Sequence, residues 1–117
     1  MSEKYANPGE VVLCASNGYQ KKFYLNENFD MLPQDIKDEL KILCVLYTED
    51  VGGILELVYD EEGDLDFRTS CEEGDLFYDE IGSILKIKQY REAKRELLEA
   101  MELYYKIRFL GQGLEEE

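Results

Sequence analysis

Histidine and tryptophan are absent from this chain of 117 residues, proline occurs twice and cysteine three times. The lack of histidine removes the side chain that most often acts as a general base near neutral pH and as the nitrogen ligand of zinc, iron and copper. Cys14, Cys44 and Cys71 are widely spaced and form no C-x-x-C pair, so neither a disulfide framework nor a thiolate zinc site is expected. All three fall in apolar or mixed segments and are expected in the core, where a thiol stays protonated. A reducing, cytoplasmic setting fits this usage. No apolar run approaches the ~18 residues a membrane span needs. The opening MSEKYANPGE also lacks the basic flank and apolar centre of a signal peptide.

Basic charge is scarce too. Thirteen Lys and Arg stand against 27 Asp and Glu, for a net charge of −14. Such a balance repels phosphate backbones and anionic lipid, so neither nucleic acid nor membrane is an expected partner. From Glu49 to Leu85 there are 13 acidic residues and one basic residue, Arg68, whereas Lys86 to Leu114 carries seven basic and four acidic. With 44% hydrophobic residues and 12% aromatics, the chain is nevertheless too apolar to remain disordered. A single domain over residues 1–117 is expected, burying roughly 65% of the surface its unfolded form exposes, with ends fraying at about 1–8 and 112–117.

Two stretches predict β-hairpins. EVVLCASNGYQKKFYL, residues 10–25, centres two β-prone runs on Asn17-Gly18, a dipeptide suited to a type I′ turn, with the Phe23 face directed inward. In the second, Leu55, Leu57 and Tyr59 alternate on one side of a strand, and Leu65, Phe67, Thr69 and Cys71 on one side of the next. YDEEGDLDF joins these runs, with five carboxylates in nine positions. Its DEEGD portion reads as a polar hairpin loop in which Gly63 takes positive φ. A calcium loop of the helix-loop-helix kind needs a closing bidentate Glu and a following helix, and this stretch runs into a strand.

Helical spacing appears first at Ile36, Leu40, Leu43, Cys44 and Tyr47, after Pro33 in the opening turn, and Gly52-Gly53 ends it. From Asp75, a candidate N-cap, the pattern stays helical to Gly111. Within it Phe77, Ile81, Ile84 and Leu85 form one stripe, while Tyr90, Ala93, Leu97, Met101, Tyr104 and Tyr105 form another on nearly the opposite side. One straight helix would be about 50 Å long and could not bury both stripes in one core. A break near Ile87 to Tyr90 is expected, with a homodimer through the C-terminal helix as the alternative.

No catalytic residue, metal site or cofactor is assigned. Val51-Gly52-Gly53 lacks the Lys and Ser or Thr of a phosphate loop. Carboxylates are abundant, but acid and base work on a substrate needs two of them flanking a deep cleft. The candidate partner-binding residues are Glu49, Asp50, Asp60, Glu61, Glu62, Asp64, Glu72, Glu73, Asp79 and Glu80, whose negative potential would steer a basic protein. The leading expectation is therefore a non-catalytic interaction or regulatory module, with an immunity-type protein that blocks a basic nuclease as one specific form. The competing class is a small metal-dependent or carboxylate-based enzyme using Asp60, Glu62 and Asp64.

The stretches LPQDIKDELKILCVLYTEDVGGILELVYDEEGDLDF, YDEIGSILKIKQ and ELLEAMELYYKIRFLG resemble a family of short acidic proteins from anaerobic Gram-positive bacteria, catalogued as a domain of unknown function. The resemblance implies a bacterial cytoplasmic setting and brings no activity with it. The expected fold is α+β: two β-hairpins forming an antiparallel sheet of about four strands, with two or three helices packed on one face.

Overall fold

The computed structural model describes residues 9–112. The eight N-terminal residues and the GLEEE end expected to fray lie outside the described residues, whereas Gln112 is held by a bond from its N–H to the Lys106 carbonyl (2.9 Å). The elements are β1 (Val11–Asn17), β2 (Lys22–Leu25), a 3-10 turn (Glu27–Phe29), α1 (Gln34–Val51), β3 (Ile54–Tyr59), β4 (Leu65–Ser70), α2 (Glu80–Ala93) and α3 (Arg95–Arg108). The four strands form one antiparallel sheet in the order β2-β1-β3-β4, the expected α+β architecture.

Alternation sets which face is buried. Leu55, Leu57 and Tyr59 of β3 are fully buried and share one core with Leu65 and Phe67 of β4, with Leu40, Leu43, Cys44 and Tyr47 of α1, and with Leu97, Leu98, Met101 and Tyr105 of α3. Phe23 and Leu25 pack against this core, as their face of β2 predicts. The core ends in an aromatic stack: the Tyr59 and Tyr105 rings lie 4.0 Å apart at 9°, Phe29 lies against both, and the Tyr59 hydroxyl donates to the Met101 carbonyl at 2.9 Å. Stacking of this kind adds about 0.5–1.5 kcal/mol per pair beyond the area buried.

The register of β1 against β3 shifts between Val12 and Cys14, a bulge with Leu13 as the extra residue. As a result Leu13 and Cys14 both reach the core, although consecutive residues of a regular strand face opposite sides. A bulge also breaks the ladder, and Asn26 compensates: its backbone N–H donates to the Leu13 carbonyl (3.0 Å) and its side-chain amide to the Val12 carbonyl (2.8 Å).

Five expectations are corrected. The first hairpin closes with four loop residues, since Asn17 pairs with Lys22. The Asn17 side chain accepts from the N–H groups of Tyr19 and Gln20 (2.9 and 3.1 Å), which wraps the chain into a wider loop than a type I′ turn. Gly18 is used for close approach, because a Cβ there would meet the Gly53 carbonyl oxygen at 2.9 Å. Pro33 precedes α1 as its N-cap residue and does not enter the first turn. The N-cap of α2 is Asp79, not Asp75: its carboxylate accepts from the Gly82 N–H at 2.8 Å. The long helical stretch breaks at Lys94, with φ −112 and ψ 26, four residues beyond the expected region. Cys71 is exposed, because β4 ends at Ser70 and the next segment turns outward. Cys14 and Cys44 are in the core as expected, with sulfurs 3.7 Å apart, and burial pushes the Cys14 thiol well above its ordinary value.

Candidate functional site

The sheet divides the ten singled-out carboxylates between its two ends. Asp60, Glu61, Glu62 and Asp64 lie in the β3–β4 loop, and Glu49, Asp50, Glu72, Glu73, Asp79 and Glu80 cluster where α1 ends, β4 ends and α2 begins. They do not form one surface.

The β3–β4 loop is occupied by its own fold. Asp60 accepts from the backbone N–H groups of Glu62 (2.9 Å) and Asp64 (3.0 Å), and Gly63 takes φ 88. Lys106 of α3 donates to Asp64 at 3.0 Å, and Glu102 accepts from the Leu65 N–H at 2.8 Å. A Cβ on Gly63 would meet the Lys106 side chain at 2.8 Å, so α3 lies directly on the loop. The Lys106 ammonium is raised from its usual value by Asp64. Among the described residues no group of three or more His, Cys, Asp or Glu is placed to hold a metal ion.

The opposite end is built differently. Asp50 pairs with Lys86 at 2.9 Å and Asp79 caps α2. Asp75, which sequence reading placed at the start of a helix, accepts from the Tyr19 hydroxyl and from the Phe77 N–H (2.9 Å), while the Tyr19 oxygen accepts from the Glu72 N–H at 2.9 Å. This knot ties segment 71–79 to the first hairpin loop. It also holds the Asp75 carboxyl below its ordinary range and raises the Tyr19 hydroxyl. Glu49, Glu72, Glu73 and Glu80 are exposed and make no side-chain hydrogen bond or ion pair among the described residues.

Beside these carboxylates lie large apolar side chains that no other described residue covers. Leu76 is 91% exposed, Phe77 94%, Ile81 72%, Ile84 68% and Leu85 61%. Sequence reading put Phe77, Ile81, Ile84 and Leu85 on a buried stripe. The structure turns the other side of α2 inward: Ser83 is buried, and Ile87 and Tyr90 pack against the core. The reason is polar. The Tyr47 hydroxyl lies 2.6 Å from the Ser83 hydroxyl and 3.1 Å from that of Tyr78, and this rotation of α2 gives the buried Ser83 hydroxyl its partners. Burial raises the Tyr47 hydroxyl far above its ordinary value. The signal for the exposed stripe was its opposition to the second one, which α3 buries.

At roughly 150–200 Å² for each large side chain, the five together expose roughly 700 Å² of apolar surface, three of them on α2 and two in the segment before it. The stripe is flanked by exposed Glu72, Glu73 and Glu80 at one end and by exposed Lys88, three residues after Leu85, at the other. No helix among the described residues is long and apolar enough to cross a membrane.

No curated protein and no solved structure matches this chain. Its residues 10–113 match the model of a family of unknown function, DUF6145, and the chain belongs to that family.

Proposed function

We propose that this protein is a non-catalytic interaction module that docks a basic, amphipathic partner protein on the exposed face of α2 and segment 72–80. The observation that carries this reading is the run of five large apolar side chains, each more than 60% exposed, flanked by the unpaired carboxylates Glu72, Glu73 and Glu80. Apolar area supplies affinity, while these carboxylates steer and select a cationic partner. Asp60, Glu61, Glu62 and Asp64 leave the proposed surface, because their loop is bound to α3 at the far end of the sheet. An immunity-type protein blocking a basic nuclease remains one specific form of this reading. The setting proposed is the cytoplasm of anaerobic Gram-positive bacteria; three free cysteines, one of them exposed, support a reducing compartment, and the taxonomic part rests on resemblance alone.

A second copy of the chain is the competing occupant, but two bodies of net charge −14 repel each other. The test is affinity capture at low and moderate salt with three baits: the native chain, Phe77→Ser with Ile81→Ser, and Glu72→Gln with Glu73→Gln and Glu80→Gln. A basic protein retained by the native chain, released by salt and lost with both variants supports the reading. Recovery of neutral or acidic proteins only, with affinity indifferent to salt, overturns it, as does sedimentation showing a dimer that the Ser variant dissociates.

A further inference from the structure

A cleft of about 330 Å³ opens between the tip of the β1–β2 hairpin and one face of α1, within the ~300–1,000 Å³ of small-molecule sites. Lys21, Lys22 and Lys41 line it, three of only 13 basic residues in the chain. Elsewhere among the described residues Arg68, Lys86, Arg91 and Lys106 are each paired with a carboxylate, whereas Lys37, Lys88, Lys94, Arg95 and Arg108 lie unpaired outside the cleft. The three lysines of the cleft have no such partner among the described residues. In so acidic a protein, three unpaired ammonium groups around one opening concentrate a positive field that a bound anion neutralises.

The backbone points the same way. Lys21 sits at φ 55, the left-handed region that glycine or asparagine occupies at lower cost. The loop thus keeps an ammonium group at a position where a glycine would close the turn with less strain. Behind the lysines, Ser16 and Thr48 join their hydroxyls at 2.8 Å, and Phe23 and Val45 provide an apolar wall. Glu49 closes one edge and opposes a ligand carrying a second negative group there.

We infer that this cleft binds a small organic anion, its phosphate or carboxylate head held by Lys21, Lys22 and Lys41 and its apolar body resting on Phe23 and Val45. The site is independent of the α2 face.

Inorganic phosphate is the probe, titrated into the ¹⁵N-labelled full chain at constant ionic strength with chloride as control. Saturable amide shifts confined to residues 16–23 and 41–49, with a Kd of about 1–10 mM, are expected. Lys41→Gln and Lys21→Gly each weaken binding at least ~5-fold, and Glu49→Gln tightens it about 3-fold, as expected for single charges acting at short range through water. Glycine accepts the backbone angle of residue 21, so unchanged shifts elsewhere certify the fold of that variant. Linear shifts that never saturate, the same shifts with chloride, or native-like affinity in both lysine variants overturn the inference.

Discussion

α2 and α3 are both 14 residues long, follow one another across a single break, and carry apolar residues at helical spacing. Their fates differ. α3 buries Leu97, Leu98, Met101 and Tyr105, with the Tyr105 ring stacked on Tyr59, whereas α2 buries only Ser83 and leaves Ile81, Ile84 and Leu85 in solvent. Full hydrophobic burial fixes α3 in place, whereas α2 is held by its hydroxyl cluster, by half-buried Ile87 and Tyr90, and by ion pairs from Lys86 to Asp50 and from Arg91 to Asp66. The lesson is that an amphipathic period records that a stripe wants covering, and says nothing of whose surface covers it.

The sharpest way to break this comparison is to empty the α3 side. Tyr105→Ala removes the stack and leaves a cavity, and should lower unfolding free energy by about 3–5 kcal/mol in urea denaturation. On the α2 side, Tyr47→Phe strips one hydroxyl from the cluster with Tyr78 and Ser83. It should cost about 1–2 kcal/mol and raise amide exchange in α2 ahead of the sheet. Replacing the exposed Ile84 and Leu85 together by Ser should change stability by less than ~0.5 kcal/mol while removing partner capture. A loss of 2 kcal/mol or more there would mean that the stripe packs internally.

The smallest expected effect is a pH dependence confined to segment 72–79. Asp75 has its folded value depressed, so its contribution is present above the ordinary Asp value of ~3.9 and is lost as pH falls through the lower folded value. Tyr19 has its folded value raised, so its contribution is complete below ~10 and is lost as pH rises through the higher folded value. Exchange of the amides of residues 72–79 should therefore quicken at both extremes before the sheet does, and Tyr19→Phe should flatten both limbs.

Much of the fold was legible. Strand alternation in β3 and β4, the stripe of α1 and its stop at Gly52-Gly53 were readable because each is a local pattern with one physical solution. That the long helical stretch breaks was legible from its two opposed stripes; the position at Lys94 was not, since neither glycine nor proline marks it. Asp75 and Asp79 both precede an apolar run, and the choice between them depends on Tyr19, 56 residues away from Asp75. The candidate site was half legible. The carboxylates were visible, but their separation to two ends of the sheet depends on strand direction. The apolar residues beside them looked like core because nothing in a sequence reports the rotation that buried hydroxyls impose on a helix.

The bulge at Leu13 gives β1 a spare length of backbone. Deleting Leu13 would bring Val12 and Cys14 into unbroken pairing with Val58 and Leu57 and keep every remaining side chain on its own side. Deleting Ala15, two positions on, would turn Ser16 and Asn17 inside out and pull the hairpin tip away from α1. Deletion should therefore preserve the register of this strand only at the bulge, while still removing the buried Leu13 side chain and the carbonyl that accepts from Asn26.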